Sequence, residues 1–191
     1  MSLPDMSLSE LKSACLSCEN CGLSATRTNV VFGSGNEKAD VMFVGEGPGQ
    51  SEDEQGEPFV GRSGQLLTHY LGAIGLERED VYIANIVKCR PPDNRDPKPE
   101  EQDICINWLN RQIELINPKI IVCLGRISAK RMISEDFMVT KQHGEFIKKD
   151  SILYMGTFHP SALLRNPSSK PDALQDFKGL AAKLSDPTRF A

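Results

Sequence analysis

The chain has 191 residues, 39% of them hydrophobic and 25% charged, with a formal net charge of −4. That composition fits one ordinary globular domain over 1–191 and excludes a membrane-spanning segment, a disulfide-stapled miniprotein and a wholesale basic surface. The start MSLPDMSLSE has neither the charged head nor the apolar core of a secretory signal, so a cytoplasmic location is expected.

Ser7 and Glu10 have the spacing of a capping box, and Leu8, Leu11 and Cys15 recur at helical spacing, which predicts a helix from Ser7 to Cys18. ADVMFVG, ending at Gly45, is a continuous apolar run bounded by turn residues, the pattern of a buried parallel strand. An irregular stretch rich in glycine, proline and carboxylates follows, VGEGPGQSEDEQGEPFVGRSG. Ser63 is then expected to cap a helix whose Leu66, Leu67, Tyr70, Leu71 and Ile74 share one face before Gly75 stops it.

DVYIANIV, from Asp80 to Val87, predicts a second strand. In KCRPPDNRDPKP the prolines remove donors and fix the backbone, so the segment reads as an extended loop. A helix resumes at Pro99, with Glu100, Glu101 and Asp103 near its positive end, and runs to about Asn117. KIIVCLG is a third buried strand, Ile127 to Ser134 a short helix, and Val139 to Lys148 a hairpin. ILYMGTF is a fourth strand, and PDALQDFKGLAAKLS a closing amphipathic helix. This alternation predicts an α/β fold, a three-layer α/β/α sandwich around a mostly parallel four-stranded sheet.

The unusual residues fall at one place in that scheme. GEGPG follows the first strand, Asn85 lies near the end of the second, Gly125 and Arg126 follow the third, and His159 follows the fourth. All belong to the carboxyl edge of the sheet, where open parallel sheets bind ligands. Basic residues lie close by in sequence: Lys88, Arg90, Arg95 and Lys98, and later Arg165 and Lys170.

Of the six cysteines, Cys123 sits inside an apolar run and reads as a core residue. Cys15, Cys18 and Cys21 form C-x-x-C-x-x-C, while Cys89 and Cys105 flank the proline-rich loop. Cys15 shares a helix face with Leu8 and Leu11, which leaves Cys18, Cys21, Cys89 and Cys105 as candidate ligands. Four thiolates suit either zinc or a [4Fe–4S] cluster, and spacing does not choose between them.

In order, GEGPGQSED, GEPFVGRSGQLL, NIVKCRPPDNRDP and HPSALLRNP together resemble the family 4 uracil-DNA glycosylases, the iron–sulfur branch of that superfamily. The likeness runs from about Cys18 to Pro167. It implies a structural [4Fe–4S] cluster on the four cysteines, a single-domain monomer, and hydrolysis of the glycosidic bond of uracil flipped out of DNA.

The resemblance also implies residue roles. Phe59 would stack on the base beside the Gly45 and Gly47 backbone, and Asn85 would read the uracil edge. His159 would donate to the 2-carbonyl as negative charge develops there. Several relatives carry a water-positioning aspartate where Gly47 stands, leaving Glu46 as the catalytic carboxylate. Glu52 would replace the wall that a tyrosine, at the position of Gly49, supplies in others. Leu163 or Leu164 would fill the gap in the duplex, while Arg165, Ser161 and the Gly61–Ser63 helix start would contact phosphates.

The competing readings are a non-catalytic iron–sulfur or zinc DNA-binding protein of the same fold and an electron carrier. A further rival is a related member of the fold that binds uracil-DNA tightly or covalently without turnover, but it carries a basic, histidine-containing insertion after the second strand that CRPPDNRDPKP lacks.

Overall fold

The four apolar runs become the centre of one sheet in the computed structural model, which describes residues 6–186 and 188. Strands β1 (Ser34–Gly35), β2 (Val41–Gly45), β3 (Tyr82–Asn85), β4 (Ile120–Leu124), β5 (Phe146–Lys149) and β6 (Ile152–Thr157) pair in the order β1-β3-β2-β4-β6-β5. The inner four are parallel, as expected. The two edge strands, β1 and β5, are antiparallel and were not expected as such.

The helices are α1 (Leu8–Leu16), α2 (Gln50–Gln55), α3 (Arg62–Ala73), α4 (Pro99–Ile116), α5 (Arg126–Met132), α6 (Val139–Gln142), α7 (Pro160–Arg165) and α8 (Lys170–Ser185). Along β2, Met42 and Val44 join Leu11 of α1, Trp108 and Leu109 of α4 and Ala129 of α5. Val41 and Phe43 face the other way, toward Leu67 and Leu71 of α3, Leu163 of α7 and Phe177 of α8. Helices cover both faces, which is why the strands read as unbroken apolar runs. Each such fully buried leucine or phenylalanine is worth about 1.5–3 kcal/mol.

Two local expectations are corrected. The residue capping α3 is Gly61, and Ser63 lies inside the first turn. The stretch expected as a hairpin starts with the α6 turn, and the hairpin is instead β5 paired with β6. The Ser7–Glu10 capping box forms, and Glu101 accepts the Lys98 amide at 2.8 Å where α4 begins with Pro99.

The chain leaves β2 toward β3 on one side, and β4 lies on the other. The carboxyl ends of β2 and β4 therefore bound the point where strand order reverses, the usual ligand crevice of such sheets. Among the described residues no helix is long and apolar enough to cross a membrane.

Candidate active site and cysteine cavity

A cleft of about 700 Å³ opens at this point, lined by Glu46 to Glu52, Phe59, Asn85, Arg126, His159 and Arg165 among others. The glycine-rich stretch is ordered there, and includes the α2 turn that its composition did not announce.

Asn85 closes β3 at the cleft floor, 1% exposed. Its Oδ1 is buried and has no hydrogen-bond partner. An unpaired buried acceptor costs about 1–3 kcal/mol, a cost that a donor entering the cleft would relieve. A Cβ on Gly45 would collide with this oxygen and with the Phe59 ring, so glycine is required at the end of β2.

Phe59 is buried and has a left-handed backbone, φ 53°. Its ring lies 5.6 Å from that of His159, tilted by 33°. Gly64 packs so tightly on the Phe59 backbone that a Cβ there would overlap its carbonyl. Glu52 Oε1 accepts the amides of Val60 and Gly61 at 3.0 and 2.9 Å, and a side chain on Gly49 would run into Oε2 of the same carboxylate. Glu52 thus fills the space beside Gly49, and the Gly61 amide is already taken by it.

His159 follows β6 and caps α7 with its own side chain. Its Nδ1 accepts the Ser161 amide at 3.1 Å, and the Ser161 hydroxyl lies 2.7 Å away. Ser161, expected at a phosphate, is turned to the imidazole. Burial, and then the Arg165 charge, pushes the His159 pKa down to about 4, so the ring is neutral. A Cβ on Gly125, which has φ +89°, would strike the His159 side chain, so the turn after β4 is cut to fit this ring.

Glu46 is half-buried, and its pKa is pushed up to about 7 by burial and then by Asp96, with Arg126 and Arg165 opposing. Asp96 pairs with Arg126 at 2.5 Å across the cleft mouth. A Cβ on Gly47 would stand 2.7 Å from Val87 Cγ2. Leu163 is buried under α3 and α8, so of the two expected wedge residues only Leu164 keeps partial exposure. Arg165 is exposed at the cleft.

The expected basic cluster divides. Lys88 is buried, donating to the Asn85 carbonyl at 3.2 Å and to Gln112 at 2.6 Å. Arg95 is held by both oxygens of Glu101. Arg95 nonetheless lines the cleft, together with Arg62, Arg126 and Arg165; of these, Arg62 was not expected there. His143 pairs with buried Asp176 at 2.9 Å beside Phe158.

On the face covered by α1 and α4, Cys15, Cys18, Cys21, Cys89 and Cys105 line one cavity with Leu23, Val30 and Trp108. Cys123 is buried in β4. The Lys88 amide donates to Cys105 Sγ at 3.2 Å, and Arg27 donates to Cys89 Sγ at 3.5 Å and to the Cys18 carbonyl at 2.6 Å. Among the described residues, no three His, Cys, Asp or Glu side chains gather about a point that would hold a single metal ion.

A family model, the Uracil DNA glycosylase superfamily, matches residues 32–179. A type-4 uracil-DNA glycosylase of Archaeoglobus fulgidus is 44% identical over 96% of this chain and 98% of its own length. One from Sulfurisphaera tokodaii is 46% identical over 96% of this chain and 88% of its own. The type-4 enzyme of Thermotoga maritima is 49% identical over 80% of this chain and 81% of its own.

Proposed function

The chain belongs to the uracil-DNA glycosylase superfamily, and from that premise we propose that it excises uracil from DNA, hydrolysing the N-glycosidic bond to leave an abasic site. The observation that carries this reading is the buried, unpartnered Asn85 Oδ1 at the floor of a cleft walled by Phe59 and His159.

Uracil in a duplex is out of reach and has to be rotated into the cleft. Its ring N–H would satisfy Asn85 Oδ1, and the Asn85 amide nitrogen would donate to the 4-carbonyl. Cytosine presents the opposite pattern on that edge and leaves both groups unpaired, a penalty sufficient for strong rejection. Phe59 would supply the stacking face, worth about 1–3 kcal/mol per base, over the bare Gly45.

Bond breaking leaves negative charge on the departing base and positive charge on the sugar. Because His159 Nδ1 is occupied as an acceptor, its proton resides on Nε2, which would donate to the 2-carbonyl as charge builds. Glu46, ionised, would stabilise the sugar cation and orient the attacking water. Glu52 would bound the base pocket beside Gly49. Leu164 would occupy the vacated stack, with Arg165, Arg62 and Ser63 near phosphates. Every one of these groups comes from one chain, so a monomer suffices.

The cysteine cavity fits a [4Fe–4S] cluster in donor type and setting. Cys18 and Cys21 after α1, Cys89 after β3 and Cys105 in α4 surround a shared space, and two of these sulfurs already accept N–H bonds. When bound it would supply cross-linking, tying the N-terminal segment to the loop after β3.

The test is excision from an oligonucleotide carrying one uracil, read as strand cleavage after alkali, with cytosine and thymine strands as controls. Cleavage confined to uracil supports the enzyme. Tight binding with every strand left whole overturns it in favour of a non-catalytic DNA-binding protein.

A further inference from the structure

Arg78 begins a tight turn between α3 and β3 and is no part of the cleft lining. Its guanidinium reaches back about twenty positions in sequence, donating from Nη1 to the Phe59 carbonyl at 3.0 Å and from Nη2 to the Pro58 carbonyl at 2.7 Å. Successive carbonyls of an extended chain point to opposite sides. One planar fork can take both only where the backbone turns between them, and the turn here is the left-handed Phe59, φ 53°.

That conformation is disfavoured for a residue with a side chain, so something has to hold it. Gly64 gives the Phe59 backbone room without pulling on it. Glu52 binds the next two amides, those of Val60 and Gly61. The loop is therefore gripped from two sides, carbonyls by a cation and amides by an anion, with Phe59 at the junction. Glu57, Glu79 and Glu52 are the carboxylates acting on Arg78, and no base or phosphate is needed to account for its charge.

We propose that Arg78 is a positioning residue for catalysis: by holding the Pro58 and Phe59 carbonyls it keeps Phe59 in its left-handed conformation, with the ring over Gly45 ready to stack on the base. The inference rests on the stacking role read for Phe59. Without the fork the backbone relaxes toward negative φ, and the ring leaves the wall it forms with His159 and Asn85. Arg78 acts only through Phe59, so its contribution vanishes when the ring is absent.

The experiment is a double-mutant cycle on single-turnover excision with wild type, R78A, F59A and R78A/F59A, alongside inhibition by free uracil and binding to abasic DNA. R78A is expected to slow excision about tenfold and to weaken uracil inhibition by a similar factor, with abasic-DNA binding unchanged. In the F59A background the same substitution is expected to cost less than about twofold. R78K, with a donor too compact to span both carbonyls, is expected between wild type and R78A. If R78A does not fold, R78K takes its place in the cycle.

Equal losses from the Arg78 substitution in both backgrounds, or losses that follow the fall in Tm alone, overturn the positioning role while leaving the glycosylase reading intact. A folded wild type that leaves uracil DNA whole removes both.

Discussion

Ser161 points its backbone amide and its hydroxyl at the same atom, Nδ1 of His159, at 3.1 and 2.7 Å. The amide can only donate, so Nδ1 carries no proton, and the neutral ring carries its proton on Nε2. Burial, and then Arg165, holds the ring pKa down at about 4. Excision is therefore expected to show no His159 titration between about pH 5 and 9, because a residue with that pKa is already neutral throughout. His159→Ala should cost on the order of 10²–10³ in rate, the usual loss of one donor to a developing anion. Ser161→Ala keeps the amide bond and should cost far less. A rate that falls with pH around 6.5 and loses that dependence in His159→Ala would show a protonated acid at work instead.

Glu46 titrates where His159 does not. Its pKa of about 7 is set by burial first and by Asp96 second. The role proposed for Glu46 needs its ionised form, so kcat should rise with pH through about 7. Asp96→Asn removes a like charge and should shift that rise to lower pH; Arg126→Gln removes an opposing cation and should shift it higher. The same shift affects folding. The folded state holds the Glu46 proton more tightly than the unfolded chain, whose value is near 4.5, so stability declines as pH rises through the window from about 4.5 to about 7. Glu46→Gln should thus raise Tm at pH 8 while abolishing the pH-dependent excision. A lower Tm would mean that the carboxylate is a structural support.

Much of this arrangement was legible in the sequence. The strands announced themselves as apolar runs because both faces of the sheet are covered, and residues at strand ends, Asn85 and His159, fell at the carboxyl edge by topology alone. What was not legible depended on side-chain direction. Leu163 and Leu164 are equivalent in a string, yet only the first packs under α3 and α8. Lys88 looked like part of a basic cluster, but lies buried against Gln112. Arg78 gave no signal, since its partners are backbone carbonyls nineteen and twenty positions away. β1 is two residues long and β5 reads FIKK, too short and too polar for periodicity to find.

Gly47 is where some relatives hold a catalytic aspartate, and the structure gives a reason why that residue cannot simply be restored. A Cβ at Gly47 would meet Val87 Cγ2 at 2.7 Å, with Pro91 Cδ at 3.7 Å. Gly47→Asp is therefore expected to destabilise the protein by about 1–3 kcal/mol, the usual cost of overpacking, without raising excision. Val87→Ala in the same chain should recover most of the lost Tm. A faster enzyme from Gly47→Asp alone would show that the wall yields and that Glu46 leaves the water poorly held.

Five thiols line the cysteine cavity, and the proposed four-thiolate cluster would leave one over. Cys15 is fully buried on the α1 face with Leu11, where an apolar role explains it. Cys89 and Cys105 already take N–H bonds from Arg27 and Lys88, as electron-rich sulfurs do. Cys15→Ser should consequently keep the brown colour and the iron content of the purified protein, losing only packing. Serine at Cys18, Cys21, Cys89 or Cys105 should lose iron and lower Tm, and excision should fall with Tm because the loop carrying Asp96 and Arg95 follows Cys89 directly. Chemical reduction or oxidation that leaves the cluster in place should not change the excision rate, since hydrolysis of a glycosidic bond moves no electrons to or from iron. Zinc in place of iron would overturn the cluster, and iron lost from Cys15→Ser but kept in Cys18→Ser would reassign the ligands.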